Sequence, residues 1–567
     1  MKSPRILLYI FICAIAACAP SAGRAQVADH DFELGRQMDV FSEVYSKLDM
    51  HYVDTLPVRG FMERVIDYML SSLDPYTVYY TEEHSDELRN FVSERYAGIG
   101  AGLYTLAGSR RTMITSVVRG GPAEAAGLHP GDVLMRIDNR ELAPAASASA
   151  SDRAHYTTEI LSRLSGEPGS TVDIDVARPG QTRLKSFTLR RQAIEQKSVE
   201  YAAMVSDSVG YVYIGQFTAH TAHDLRAAIA SLKARGAQRL ILDLRDNPGG
   251  LLRAAVDVVG TFVARDTEVL RTRSKNRFSE TTFVTDNEPI DELMPLVVLL
   301  DGGSASAAEI AGGALQDLDR AVIIGRRSFG KGLVQSTYDI SYGGLLKVTT
   351  AKYYIPSGRC IQALDYSHRT PAGDPMPLPD SLSSEYLTSA GRTVRDGGGI
   401  TPDITVPADT MPELVRLLAQ SDVLYEFCAA YARAHRSISA PLVFELTESE
   451  FTDFKAAVIT SGFEFGNHSR ELLATLRTTA QAEGFGSDVD AKMAELYAQL
   501  EPDLDRALER WRRPVKRLVE RQIVSTYYGS PGVVEYSLRG SQDVATAVEL
   551  LRDERRYRSI LSTAPQR

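Results

Sequence analysis

Cysteine is scarce in this 567-residue chain, which has four, at positions 13, 18, 360 and 428. Two of them fall in the first twenty residues. Only Cys360 and Cys428 stand in the bulk of the chain, and a pair so far apart makes no disulfide framework; both read as unpaired thiols in packed regions. A basic excess is also lacking. With 63 Lys and Arg against 73 Asp and Glu, the formal net charge is −10. No basic stripe reverses it, so nucleic acid is not expected as a partner. Beyond the first residues no apolar run is long enough to cross a bilayer. The zinc-peptidase pattern HExxH is missing as well. His220 and His223, in "HTAH", share a helix face without a third ligand and read as a solvated helix start, so neither metal nor other cofactor is expected. What remains is an ordinary globular composition, 44% hydrophobic and 24% charged, in a chain long enough for two to four domains.

The opening "MKSPRILLYIFICAIAACAPSAGRAQ" reads as a secretory leader. Lys2 and Arg5 supply the charged start, and Ile6 to Ala17 form an apolar stretch too short to span. Two processing schemes fit. Small residues at Gly23 and Ala25 give a leader of residues 1–25 and a mature chain from Gln26, periplasmic or secreted. Alternatively "IAAC" resembles a lipobox, which leaves a lipid anchor on Cys18 and a membrane-attached lipoprotein.

Four regions follow. Residues 26–93 read as helical, with Phe32, Met38, Phe41, Val44, Tyr45 and Leu48 recurring near a 3.6 period, until Asp74-Pro75 turns the chain. Residues 94–191 are glycine-rich with short apolar runs, a small β unit whose strands include Ile114–Val118 and Val133–Ile137. Within it "PAEAAG" and "TTEILSRL" read as helices and 143–151, "APAASASAS", as a mobile loop. Residues 192–406 alternate strand and helix: "SVGYVYIGQF", "HDLRAAIASLKARG", "RLILDLR", "LLRAAVDVVGTFV", "PLVVLLD", "SAAEIAGGALQDL", "RAVIIG". That alternation predicts a largely parallel sheet, with sites at the strand-to-helix switches. Residues 407–567 read as mainly helical and carry no catalytic constellation.

Three stretches of the α/β region carry chemistry. "VLLDGGSASAAEI" turns sharply after a buried strand and presents Ser304 and Ser306, yet no histidine falls at a strand end to serve as base. A lysine can serve instead if burial brings its pKa from about 10.4 toward neutrality, a shift of about three units that costs about 4 kcal/mol. "RRSFGKGLVQ" supplies Lys331 between two glycines, with Gln335 four residues on. "LILDLRDNPGGLL" ends a strand in a turn where Gly249 and Gly250 leave main-chain N–H groups for an oxyanion, although a plain turn fits equally. Ser328 and Lys331 also match S-x-x-K of penicillin-binding proteins, but the flanking glycines argue against the helix turn that motif needs, and its companions S-D-N and K-T-G are absent.

Together these stretches resemble the carboxyl-terminal processing, or tail-specific, proteases. The likeness rests on "SASA" at 304–307, on DLRxNPGG at 243–250, on "AKYYIPSGRCIQ" and on "GGGITPD", and it covers about residues 30–406. The resemblance implies a serine–lysine endopeptidase with an α/β core of the ClpP/crotonase type and an inserted PDZ domain. It implies Ser306, not Ser304, as nucleophile, Lys331 as base and Gln335 as its holder, with the N–H groups of Ala307 and of Gly249 or Gly250 as oxyanion donors. Glu309 is expected only as a helix-start residue that suits the dipole. The loop Gly98, Ile99, Gly100 and Ala101 would bind the free C-terminal carboxylate of a protein or peptide substrate. A homodimer through the helical ends is the corresponding expectation for assembly, and a non-proteolytic PDZ scaffold that only binds tails is the alternative function. The helical tail from 411 resembles nothing further.

Overall fold

The structure, a computed structural model, describes residues 21–82, 97–193, 197–275, 280–371, 373–408, 411–466, 468–500 and 503–562. Residues 1–20, and with them Cys18, lie outside the described residues, so the leader is an expectation only. The chain divides into two compact units, Met1–Tyr79 and Tyr80–Arg567.

In the first unit, α1 runs Ser21–His51 and α2 runs Val58–Ser71. The periodic apolar positions lie on α1 as expected, but Phe32, Met38, Phe41, Val44 and Leu48 are exposed. Tyr45 stacks on Phe61 of α2 with ring centroids 6.2 Å apart. Past α2 the buried Asp74 accepts the N–H groups of Tyr76 and Thr77, each at 2.8 Å, so its side chain closes the turn that Pro75 begins.

The second unit opens with the small β domain. Its elements are β1 (Ala97–Gly98), β2 (Ala101–Thr105), β3 (Thr112–Val117), α3 (Pro122–Ala126), β4 (Val133–Ile137), α4 (Ala150–Leu164), β5 (Thr171–Ala177), β6 (Lys185–Arg190) and β7 (Gln192–Ala193). The sheet runs β2-β3-β4-β5-β6, all antiparallel, and β1 pairs with β7 at the domain's entrance. Ile99, Ile114, Leu134, Ile160, Ile174 and Leu189 fill its core. The stretch 143–151 is more ordered than its low complexity suggests. Ala145 is buried and its N–H donates to the Arg110 carbonyl at 2.8 Å, while Ser149 caps α4, which already includes Ala150 and Ser151.

The α/β region comprises β8 (Val199–Ser206), β9 (Val209–Ile214), α5 (Thr221–Ala234), β10 (Arg239–Asp243), α6 (Leu252–Val259), β11 (Glu268–Ser274), β12 (Thr281–Val284), β13 (Leu296–Leu300), α7 (Ala307–Asp317), β14 (Val322–Gly325), β15 (Leu333–Asp339), β16 (Leu345–Tyr354) and β17 (Ile404–Thr405). The main sheet is ordered β8-β9-β10-β13-β14-β17, parallel except for the β8–β9 pair. A second, antiparallel sheet of β15-β16-β11-β12 was not foreseen from sequence.

Each parallel strand divides its side chains by parity, because successive residues point to opposite faces. Leu240, Leu242, Leu296, Val298, Leu300 and Ile323 pack with α5, α6 and α7. Ile241, Val297, Leu299, Val322 and Ile324 pack against the far end of the chain, through Val534, Val544, Leu550, Leu551 and Tyr557. Both faces are thus covered, which is why these strands read as unbroken apolar runs.

The covering residues belong to the helical tail: α8 (Glu413–Ala419), α9 (Asp422–Ala434), α10 (Glu448–Thr460), α11 (His468–Ala482), α12 (Ser487–Gln499), α13 (Leu504–Arg510), α14 (Arg512–Leu538), α15 (Gln542–Arg552) and α16 (Glu554–Leu561). α14 breaks at Gly529, φ 64°, two residues before Pro531. Its first part joins a separate core with Leu414, Leu418, Phe451 and Phe454. Its last part, with α15 and α16, lies on the main sheet.

Candidate active site

Strands β10, β13 and β14 are parallel neighbours, so the loops that leave them emerge at one edge of the sheet. The loop after β13 presents the two serines differently. Ser304 is fully buried and its Oγ donates to the Leu244 carbonyl at 2.8 Å, which staples this loop to the one after β10. Ser306 is half-buried and holds φ 56°, ψ −113° at the N-terminal end of α7. A non-glycine residue with positive φ is strained, and its environment must hold it there.

Gly249 is what allows the close approach on the other side. A Cβ at Gly249 (φ 102°) would lie 2.8 Å from Ser306 Cβ and 3.0 Å from the Ala307 nitrogen; one at Gly250 (φ 140°) would lie 2.1 Å from the Phe217 carbonyl oxygen. No side chain fits either place. The two glycines differ in their N–H groups. That of Gly249 donates to Asn247 Oδ1 at 2.8 Å, and Asn247 in turn donates through Nδ2 to the Ile214 carbonyl at 2.7 Å. The N–H of Gly250 has no protein acceptor among the described residues. Ala307 is the first residue of α7, where a helix leaves its N–H without an intrahelical partner.

The loop after β14 carries Lys331, half-buried between Gly330 (φ 89°) and Gly332. It is tied to Ser306 by Glu309, one turn into α7 and fully buried. Oε2 of Glu309 accepts the N–H of Ser306 and the N–H of Lys331, each at 2.9 Å; Oε1 accepts the N–H of Gly330 at 2.7 Å and the Ser328 hydroxyl at 2.5 Å. The nitrogens of residues 306 and 331 are therefore neighbours across one oxygen atom. Burial pushes the Glu309 carboxyl above its ordinary value, and those four donors pull it back only in part. On the carbonyl side, the fully buried Tyr353 of β16 donates its hydroxyl to the Lys331 carbonyl at 2.7 Å, with the Ser306 carbonyl 3.3 Å away. Burial raises that phenol well above its usual pKa.

Ser328 is no nucleophile of the S-x-x-K kind. Its oxygen donates to Glu309 and accepts the Ile400 N–H at 2.7 Å, and no helix turn joins it to Lys331. Gln335 stands on β15 opposite Thr349 and donates to its Oγ1 at 3.2 Å. His220 sits at the start of α5. Cys360 and Cys428 are both free thiols.

Three family profiles cover most of this architecture: PDZ domain over 92–159, peptidase family S41 over 208–366, and a probable PDZ-protease C-terminal helical domain over 414–551. A carboxy-terminal-processing protease of Bartonella bacilliformis is 31% identical over 346 residues, 60% of this chain and 76% of that protein. That of a Synechocystis strain is 32% identical over 382 residues, 66% of this chain and 79% of its own. The carboxy-terminal processing protease CtpB of Bacillus subtilis is 31% identical over 337 residues, 59% and 67% respectively. The chain belongs to the carboxyl-terminal processing protease family.

The protease is a serine-type peptidase with a PDZ domain, an α/β peptidase core and a helical tail. The tail, which the sequence left without a likeness, has one in the C-terminal helical domain of PDZ-proteases. In the PDZ domain, Gly98 lies on β1, and Ile99 and Gly100 (φ 70°) link it to Ala101, the first residue of β2. The carbonyls of Ile99 and Gly100 accept the N–H groups of Ala123 and Val118, each at 2.8 Å, which pins the loop from behind. Sequence reasoning brought Ser306, Ala307, Gly249, Gly250 and Lys331 to one place. It missed Tyr353 and Asn247, and it gave Glu309 only the helix dipole. The S-x-x-E spacing of residues 306 to 309 was a legible signal for the Ser306 contact, but the three donors from the loop after β14 were not.

Proposed function

We propose that the protease cleaves peptide bonds through a Ser306–Lys331 dyad and an acyl-enzyme, on proteins whose C-terminal tails its PDZ domain holds. One observation carries the reading: a single buried carboxylate, Glu309, accepts the main-chain N–H of both residues, so a lysine side chain starts beside the serine it must reach. Neutral Lys331 takes the Ser306 proton as Oγ attacks the scissile carbonyl. The resulting oxyanion is met by the N–H groups of Ala307 and Gly250, since that of Gly249 is engaged by Asn247. Lys331 then passes the proton to the departing amine. Water, deprotonated by the same lysine, releases the acyl group from Ser306. Gln335 borders this loop and orients Lys331 as it rearranges for turnover. The tail carboxylate binds at residues 98–101, where Gly100 permits the left-handed turn.

Wild-type, Ser306→Ala and Lys331→Ala chains incubated with an unstructured protein test the dyad. Both variants are expected to fall to background, and the intact mass of wild-type protein quenched in turnover should include an acyl adduct on Ser306. Residual cleavage by Ser306→Ala at the wild-type rate would sink the reading.

Export and assembly belong to the same proposal. The leader directs the chain out of the cytoplasm, and the mass of the mature N-terminus separates a start at Gln26 from a lipidated Cys18. Two copies meet along α1, where Leu34, Met38, Phe41, Tyr45 and Leu48 alternate spacings of four and three, the seam of a coiled coil. Leu34 is 57% and Met38 59% exposed. Light scattering of Leu34→Glu/Phe41→Glu should give half the wild-type mass; equal masses exclude this seam.

A further inference from the structure

Ser306 opens α7, on the face of the sheet that α5, α6 and α7 cover. The opposite face, under α14 to α16, ends at the same strand edge in a pocket of about 330 Å³. Three guanidinium groups line it: Arg245, which follows β10 by two residues, Arg326, which follows β14 directly, and Arg517 of α14. Arg245 and Arg326 thus begin the two loops that carry Gly249–Gly250 and Lys331.

The charges do not balance. Arg245 is matched by the fully buried Asp243, on which its Nε donates at 2.9 and 3.0 Å, and it also reaches Asp543 at 2.8 Å. Among the described residues Arg326 pairs only with that same Asp543 oxygen, at 3.3 Å. Arg517 forms no ion pair among the described residues. A second pocket, of about 400 Å³, adjoins the first and shares Arg517 and Gly540. There Arg512, Lys516 and Arg539 pair with Glu445 and Glu448, while Glu520 accepts the Tyr536 hydroxyl and the Leu446 N–H, and Arg513 forms no ion pair among the described residues. Arg513 and Arg517 are four apart on one helix, a like-charge pair that is destabilising unless something shares it. This local surplus of cations stands in a chain of net charge −10. It does not come from the α15 helix end, which Ser541 caps and Asp543 already opposes.

We infer that this pocket binds a small multivalent oxyanion of the phosphate class, held between Arg326 and Arg517, behind the two catalytic loops. The guanidinium fork matches such an oxygen set, and a partly enclosed site strengthens the contact. By bridging the tail helix α14 to the start of the Lys331 loop, the anion fixes that loop to the tail.

The test is thermal unfolding of the full chain titrated with inorganic phosphate, with sodium chloride holding the ionic strength constant. Expected is a saturable rise in Tm of about 2–4 °C, lost in Arg517→Gln and kept in Arg136→Gln, a surface arginine of the PDZ domain. A rise that chloride reproduces, or one that Arg517→Gln keeps, overturns the site. Should Arg517→Gln not fold, Arg517→Lys keeps the charge without the fork, and its saturation midpoint should move at least about tenfold; an unmoved midpoint overturns the proposal. Phosphatidylglycerol vesicles in place of phosphate form the last arm. Sedimentation with vesicles that free phosphate does not compete assigns the cluster to a membrane surface and overturns the enclosed site.

Discussion

Glu309 holds two loops through four donors, and a neutral amide cannot answer all four, because it brings one acceptor oxygen and one donor nitrogen. Glu309→Gln should leave at least one buried N–H unsatisfied, lower stability by about 1–3 kcal/mol and cut kcat about a hundredfold, with KM little changed; thermal melts and steady-state kinetics on one preparation check both numbers. Tyr353→Phe is the milder change. It removes one hydroxyl from the Lys331 carbonyl, about 1 kcal/mol, and lowers kcat rather than KM. Since burial keeps that hydroxyl protonated well past neutrality, the ratio of wild-type to variant rates should stay flat from about pH 6 to about pH 9; a ratio that bends within that span would count against the tyrosine acting as a fixed donor. At this scale the likeness to the family singled out Ser306 and Lys331, 25 residues apart in the chain, as the pair proposed to react. It could not tell which of two adjacent glycines keeps a free N–H, because the answer lies with Asn247, whose other hydrogen bond goes to Ile214, 33 positions earlier.

Among the elements, α15 and α16 are structural members of the protease sheet rather than appendages. Tyr557 both donates to the Leu296 carbonyl at 3.0 Å and accepts its N–H at 2.9 Å, at the first residue of the buried strand β13. Val544, Leu550, Leu551 and Tyr557 each gain about 1.5–3 kcal/mol by leaving water, and their sum rivals the roughly 5–15 kcal/mol that stabilises an ordinary domain. A chain ended after residue 540 should therefore be insoluble or partly unfolded. Replacing 468–500 by a short Gly-Ser linker should instead leave a folded, active protease, because α11 and α12 contribute nothing to the core formed by Leu414, Phe451, Phe454 and Val519. Soluble yield and far-UV circular dichroism of the two truncations decide between them, and equal behaviour would remove the distinction. The parallel strands were legible because burial on both faces leaves a plain apolar signature. The role of the tail was not: its partners lie some 261 residues earlier, and amphipathic helices carry no mark of which surface they will meet. The antiparallel sheet of β11, β12, β15 and β16 escaped for the opposite reason, since half-exposed strands such as β16 mix polar and apolar residues without a clean alternation.

Across the whole of the second unit, the PDZ domain is fastened to the helical tail at its own β2–β3 turn. Both carboxylate oxygens of Asp422 accept main-chain N–H groups there, from Ala107 at 2.7 Å and Gly108 at 2.8 Å. Tyr104 of β2 stacks on Tyr425 at 3.8 Å between ring centroids, and its hydroxyl donates to the Gln420 carbonyl at 2.7 Å. Leu106 and Met113 close the contact against Ala429. β2 follows directly on the loop proposed to take the tail carboxylate, so whatever fixes β2 also fixes where a bound tail lies relative to the protease core. Asp422→Ala removes two charge-assisted hydrogen bonds, each worth about 1.5–3 kcal/mol, without touching the interior of either domain. Amide exchange at Ala107 and Gly108 should accelerate at least tenfold, while exchange in β10 and β13 stays as in the wild type. If the fastening also sets the path from tail to serine, cleavage of a substrate with a free C-terminal tail changes in rate and cleavage of a short peptide that bypasses the PDZ domain does not. Unchanged exchange at the two amides would mean that the stacked tyrosines alone hold the domain, and Tyr425→Ala in the same background would then have to release it.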